Sequence, residues 1–205
     1  SLFYYERPQS MIAKDSQTGK DPDKKKTQQF GFSLGGPIIK DKLFYFIAYD
    51  GQREESPTNF KLFGLNPATT LDPVAFPNDA ALLSRAGTYS VKSDSDVVFL
   101  RLDWIVNQDH AIQFRVNTSN FKGATNTAFL PSNFLNTLDN TSTDDVKTIS
   151  FVGQWNWTIN ANWLNEFRIN YVKDELPRVP NSTAAQVQIT NTATYGGYTF
   201  SREFE

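Results

Sequence analysis

The sequence alternates short polar turns with long polar connections, and this alternation constrains the fold more than any other feature. Three segments rich in apolar and aromatic residues lie at 27–53, 96–121 and 148–174. Each is divided by a polar turn of three residues, at 40–42, 107–109 and 160–162, whereas the connections between the segments run to tens of residues. This pattern predicts antiparallel hairpins in up-and-down order, with all the short turns at one end.

Side chains within the predicted hairpins alternate between an apolar and a polar set. Leu100, Leu102 and Trp104 fall on one face of their strand, while Arg101 and Asp103 fall on the other, because successive side chains of a strand point in opposite directions. Each strand is predicted to be about ten residues long, which is the length a tilted strand needs to cross a bilayer. In 43–49 both faces are apolar, so the outward set of this strand stays undecided.

The composition excludes several classes of function. Cysteine is absent and there is a single histidine, His110, so thiol chemistry, imidazole metal sites and a Ser-His-Asp triad are not expected. The net charge of -2 provides no electrostatic footprint for nucleic acid. We therefore expect a protein that is not an enzyme, uses no cofactor and binds no nucleic acid.

These patterns predict an all-β fold, an antiparallel up-and-down transmembrane β-barrel segment of about seven or eight strands. We expect the barrel to be incomplete, with long outer loops and short periplasmic turns. The count includes a first strand at 2–5 and a last strand at 195–204, with a loop predicted at 176–193. A soluble β-sandwich also alternates, with its apolar face turned inward, and it remains the alternative.

The polar faces of the predicted strands supply candidates for a barrel lumen. Charged side chains there avoid the cost of facing lipid. Alternatively, these residues form ion pairs between strands. The lumen-facing candidates are Arg101, Asp103, Gln113, Arg115, Asn117, Gln154, Glu166, Arg168 and Asn170.

Large aromatic residues on the apolar faces supply candidates for the girdles that flank a membrane-spanning barrel at the lipid interfaces. Trp157 and Trp163 flank the turn at 160–162, where a periplasmic girdle is expected. The alternative is an ordinary aromatic core between two sheets. The girdle candidates are Trp104, Trp155, Trp157, Trp163 and Tyr171, together with Tyr45 and Tyr49.

The first hairpin, QFGFSLGGPIIKDKLFYFIAYDGQRE, resembles the early barrel region of TonB-dependent outer-membrane receptors, and within them the Oar-like branch. The residues that carry this resemblance are Phe30, Gly31, Gly35, Gly36, Pro37, Lys40, Asp41, Lys42, Phe44, Phe46, Tyr49, Gly51 and Arg53. Asp50 and Gln29 depart from the commoner Glu and Asn of the pattern. The glycines are expected either to let a plug pack closely against the wall or to form a bulge.

The resemblance implies an outer-membrane transporter of a Gram-negative bacterium that binds a solute, still unknown, and imports it. The family combines a barrel of about 22 strands with a plug inside it, and TonB acts on that plug. Residues 1–205 are expected to be a partial barrel domain, a fragment without the plug and the TonB-contacting segment. Its partners would be outer-membrane lipid and, in the intact protein, the plug and TonB. The alternatives are a porin, an adhesin-like barrel or a soluble carbohydrate-binding sandwich.

Overall fold

A single antiparallel sheet dominates the structure. The computed structural model describes residues 1–8, 11, 13, 25–60, 87–125, 138–189 and 193–197. The strands are β1 (Leu2–Arg7), β2 (Lys26–Ile39), β3 (Leu43–Phe60), β4 (Gly87–Ile105), β5 (His110–Thr125), β6 (Ser142–Asn160), β7 (Trp163–Glu175), β8 (Arg178–Pro180), β9 (Val187–Ile189) and β10 (Ala193–Tyr195), and a 3-10 turn covers Leu138–Asn140. In the described residues, β1 to β7 pair in chain order without closing into a ring, so the predicted fold class is confirmed.

The eighth strand of the sheet lies elsewhere than predicted. β8 falls within the predicted loop 176–193 and pairs with β6 in the same register as β7, so it prolongs β7 beyond Pro177. The predicted last strand at 195–204 is wrong in its described part. Tyr195 ends β10, which pairs with β9 in a separate two-stranded hairpin. Residues 198–204 lie outside the described residues.

The three predicted short turns are confirmed, and local chemistry forms them. In the first, the Lys42 amide donates to the Ile39 carbonyl at 3.1 Å, and Asp41 adopts φ 59°, a left-handed conformation that aspartate tolerates. In the second, Asn107 Oδ1 accepts hydrogen bonds from the amides of Asp109 and His110, each at 2.9 Å. In the third, Asn160 Oδ1 accepts a hydrogen bond from the Asn162 amide at 2.9 Å. Because β1 to β7 pair in chain order, all three turns lie at one end of the sheet.

Replacing Asn107 with alanine removes both of these side-chain hydrogen bonds from an exposed turn. We expect the free energy of unfolding to fall by about 0.5–1.5 kcal/mol. Urea unfolding in detergent micelles measures this change. Gln108→Ala in the same turn is the control and is expected to shift the midpoint very little. Equal effects of the two substitutions would contradict the role of Asn107.

The strands are longer than the predicted ten residues. β4 and β6 each have 19 residues and β3 has 18. Their additional residues lie at the end away from the short turns and are mostly polar, as in Ser93–Ser95 of β4. The predicted length was wrong because the backbone ladder continues past the point where the apolar side chains stop.

The register sorts the side chains of β2 to β7 into two faces. Leu34, Ile47, Leu100, Val116, Phe151 and Tyr171 lie side by side across the six strands and define the apolar face. The opposite face carries Arg101, Arg115 and Asn170, and it is called the polar face. The register also settles the undecided strand. Tyr45, Ile47 and Tyr49 are on the apolar face, whereas Phe44 and Phe46 are on the polar face.

No second layer covers the sheet in the described residues. Buried residues there are glycines or belong to the segment Asn140–Ser142, while Leu100, Trp104 and Tyr171 are 42%, 45% and 57% exposed. A β-sandwich would bury such side chains between two sheets. The sandwich alternative and its aromatic core are therefore wrong. Among the described residues, no helix is long and apolar enough to span a membrane.

Gly31 lies beneath an aromatic ring from the neighbouring strand. A Cβ atom at this position would stand 2.6 Å from the Phe3 ring and would overlap with the Tyr49 carbonyl oxygen. The ladder is regular at Gly31, and the one irregularity in β2 falls between Pro37 and Ile39. The expected bulge is therefore absent at Gly31, which makes room for the ring of Phe3. Close packing of a plug against the glycines stays a prediction.

At the end away from the short turns, a buried polar segment ties β6 to the chain that follows β8. Asn140 and Thr141 are fully buried, and Asn140 Nδ2 donates to the Gly196 and Gly197 carbonyls at 3.1 and 3.3 Å. Asn181 Nδ2 donates to Thr141 Oγ1 at 2.6 Å. These bonds hold the described part of the outer connections against the sheet.

Candidate functional site

All nine lumen-facing candidates lie on the polar face. One row across β4 to β7 holds Asp103, Gln113, Gln154 and Arg168, and the next row holds Arg101, Arg115, Val152 and Asn170. Asn117 lies opposite Ser150 in a third row, and Glu166 lies opposite Asn156 in a fourth. The candidates therefore form one continuous band, which occupies the half of the sheet nearer the short turns.

Two hydrogen-bonded clusters organise this band, and the first is centred on Asp103. Arg101 donates from Nε and Nη2 to the Asp103 carboxylate at 2.8–3.0 Å. Gln113 Nε2, from the adjacent strand, donates to Asp103 Oδ1 at 2.7 Å. The ion pair thus lies within β4, and a neutral amide provides the link between strands.

The second cluster repeats this arrangement on β6 and β7. Arg168 Nε lies 2.8 Å from Glu166 Oε1 within β7. Gln154 Nε2, on β6, donates to Glu166 Oε2 at 3.2 Å and to Asn156 Oδ1 at 3.1 Å. The expectation of ion pairs between strands is therefore wrong for both clusters, whose charged pairs are formed two residues apart on one strand.

Arg115 differs from the other two arginines of the band. It lies directly opposite Arg101 in the register, where two like charges repel each other. Its Nε atom is buried and has no hydrogen-bond partner in the structure. Sequence reasoning placed Arg115 on the polar face but gave no sign that its Nε atom would lack a hydrogen-bond partner.

The girdle candidates near the short turns form an aromatic stack that includes a residue the sequence analysis gave no role. The rings of Trp155 and Trp157 are 5.8 Å apart and nearly parallel, and His110 stacks against both at 5.6–5.7 Å. Trp155 Nε1 donates to His110 Nδ1 at 3.2 Å. Only the pairing of β5 with β6, which sets His110 opposite Trp157, reveals this contact.

The remaining tryptophan candidates lie near the short turns, whereas Tyr171 lies farther along the apolar face. Trp104 and Trp163 are close to the short turns, where Trp104 pairs with Ile112 and Trp163 is 68% exposed beside its turn. Tyr171 lies nearer the other end of β7, where the chain passes to Lys173 and Glu175. The tryptophans therefore border the apolar face at the short turns, while Tyr171 shares the row of Leu100 and Phe151.

Four of the family-motif residues form one contact cluster on the apolar face. The Phe30 ring lies over Gly51, 6.0 Å from the Tyr49 ring, and the Arg53 guanidinium lies 5.4 Å from the Phe30 ring centre. Asp96 of β4 accepts hydrogen bonds from Tyr49 at 2.6 Å and from Arg53 at 2.7 Å. Asp96 is the member that sequence reasoning missed, because only the β3–β4 register brings it there.

Asp96 lies beyond the apolar residues of β4, and its surroundings keep it ionised. Burial raises its pKa, but the hydrogen bonds from Arg53 and Tyr49 outweigh burial and hold the pKa of Asp96 below its ordinary value. The hydrogen bond to Asp96 in turn raises the pKa of Arg53. The cluster is therefore charged at neutral pH and ties β2, β3 and β4 together.

The other motif residues have structural positions in the first hairpin. Lys40, Asp41 and Lys42 form its turn, and Pro37 lies at its bulge. Phe46 packs against Phe99 on the polar face, with ring centres 6.1 Å apart. In the described ranges, acidic and imidazole side chains do not gather into a group of three or more that would hold a metal ion.

Comparison with known proteins identifies the family to which this chain belongs. A family model described as outer membrane beta barrel domain matches residues 1–71 and 66–203, which is nearly the whole chain. Neither the search of curated proteins nor the search of solved structures found a match. The up-and-down sheet and its uncovered apolar face agree with the matched family. The chain therefore belongs to the outer membrane beta barrel domain family, which lies in the outer membrane of Gram-negative bacteria.

Proposed function

We propose that this chain forms part of the barrel wall of a TonB-dependent receptor of the Oar-like branch, which imports a solute across the outer membrane. The proposal rests on the resemblance of the first hairpin to that family. The contact cluster of Phe30, Tyr49, Gly51 and Arg53 supports it, since it explains why the motif needs these residues together. The proposed role involves no chemical change of the solute.

A transport role is supported by the difference between the two faces of the sheet. The polar face bears the charged clusters, whereas the opposite face of the same sheet bears Leu100, Leu102 and Trp104. An arginine or lysine facing lipid at mid-membrane costs about 2–4 kcal/mol, whereas a lumen holds water. We therefore assign the apolar face to lipid and the polar face to the lumen, where it would meet the plug or the passing solute.

The proposal is tested by measuring whether the intact protein contacts TonB. Cells that express the complete protein containing this chain are treated with a crosslinker, and the adduct with TonB is detected by immunoblotting. We expect an adduct that disappears when TonB lacks its periplasmic domain. Failure to form any adduct, with the protein correctly inserted in the outer membrane, would contradict the proposal and favour a porin or an adhesin-like barrel.

A further inference from the structure

The apolar face ends in the same order of side chains on two adjacent strands. On β6, Phe151 and Ile149 are followed by Lys147 and then Asp145, two residues apart on the same face. On β7, Tyr171 is followed in the same order by Lys173 and then Glu175. Apolar, basic and acidic side chains thus succeed each other along both strands, in the direction away from the short turns.

Each lysine has a carboxylate partner on the far side from the apolar residues. Lys147 Nζ lies 3.5 Å from Asp145 Oδ2, and Lys173 Nζ lies 2.6 Å from Glu175 Oε1. The hydrogen bond to Glu175 raises the pKa of Lys173, and the same bond lowers the pKa of Glu175. Both groups are charged at neutral pH. Exposed pairs of this kind contribute little to stability, so the lysines exchange partners at little cost.

A cleft opens between these strands at the level of the lysines. Its volume is about 330 Å³. Ile149 forms its apolar part, and Thr118, Asn120, Lys147, Lys173 and Glu175 also line it. The cleft therefore combines two cations, the carboxylate that pairs with Lys173, neutral polar residues and an apolar surface.

The cleft lies at the height of lipid headgroups. Lys147 precedes the end of β6, Asn160, by about 13 residues, which is about 43 Å along the strand and about 33 Å along the membrane normal at a tilt of about 40°. Lys173 follows the start of β7, Trp163, by 10 residues, which is about 25 Å along the normal at the same tilt. The outward apolar band of outer-membrane barrels is about 25 Å tall. Since short turns are periplasmic in barrels of this kind, the lysines lie at the outer leaflet.

We propose that the cleft between β5, β6 and β7 binds the phosphorylated headgroup of an outer-leaflet glycolipid. Lys147 and Lys173 contact the phosphate, and lysine is a common phosphate ligand. The lysine stems lie along the apolar surface while the ammonium groups reach the headgroup. The acyl chains lie below, against Ile169 and Tyr171, which are both more than half exposed, and against the partly exposed Phe151.

The test measures binding of diphosphoryl lipid A, a glucosamine disaccharide with two phosphates and several acyl chains, to the intact protein in detergent micelles by native mass spectrometry. We expect the double variant Lys147→Gln/Lys173→Gln to bind it about 10–30-fold more weakly than the wild type. The control Lys40→Gln/Lys42→Gln removes the same charge from the opposite end of the sheet and is expected to bind like the wild type.

Two further arms separate the lipid from other sources of phosphate. Removing the phosphates from the probe is expected to abolish the difference between the wild type and the cleft variant, and excess inorganic phosphate is expected to displace the lipid poorly. Lys147→Arg/Lys173→Arg restores binding if charge is the cause, and the heat-modifiable gel shift verifies folding of each variant. Unchanged binding by a folded cleft variant, or efficient displacement by inorganic phosphate, would overturn the proposal.

Discussion

Replacing Leu100 with arginine is expected to lower the free energy of unfolding in lipid vesicles by about 2–4 kcal/mol. Leu100 lies in the middle row of the apolar face, between Ile47 and Val116, and is 42% exposed. If this face meets lipid, the guanidinium is held in hydrocarbon without water. Urea unfolding of the protein in vesicles, followed by tryptophan fluorescence, measures the change.

The matched control introduces the same charge on the other face. Ser150 lies on the polar face in the row next to that of Leu100, within about one residue of the same height. Ser150→Arg is therefore expected to change the stability by less than about 0.5 kcal/mol, as surface substitutions usually do. An equal loss for the two arginines would refute the assignment of the apolar face to lipid.

Replacing Gly31 with alanine is expected to destabilise the protein by about 1–3 kcal/mol, the usual cost of inserting a methyl group where there is no space. The new Cβ would overlap with the Tyr49 carbonyl oxygen and press on the ring of Phe3. A backbone carbonyl inside a ladder cannot move aside without breaking the pairing of β2 with β3. Urea unfolding in detergent micelles measures the loss.

Gly36→Ala in the same strand is the control for this substitution. The nearest atom to a Cβ at Gly36 is Tyr45 Cε1 at 3.9 Å, an ordinary contact. Alanine there restricts the unfolded chain and is expected to be neutral or to stabilise by about 0.4–1 kcal/mol. Similar losses of stability at both positions would mean that strand flexibility, and not the space beneath Phe3, explains the need for glycine at position 31.

The hairpins and their turns were predictable from local chemistry. Alternation of side chains and the polar turns at 40–42, 107–109 and 160–162 are both short-range properties of the chain. The strand ends were not predictable in the same way. β4 extends through Ser93–Ser95 because the pairing of backbone groups with β3 and β5 does not depend on whether the side chains are apolar.

The polar face was predictable as a set of residues but not as a set of contacts. A period of two places Arg101, Asp103 and Arg115 on one face whatever the register is. Which of them pair depends on the strand next to each one. Asp103 therefore meets Gln113, Arg115 is left opposite Arg101, and His110 stacks on Trp157 only because of the observed pairing of β4, β5 and β6.

The sequence by itself determined that this chain makes antiparallel hairpins with one apolar and one polar face, since alternation and turn chemistry act over a few residues. The tertiary structure alone decided the outward set of Leu43–Tyr49, the place of Asp96 beside Arg53, and the cleft beside Lys147. These features join residues of different strands, and strand register, which depends on pairing between distant segments, places them together.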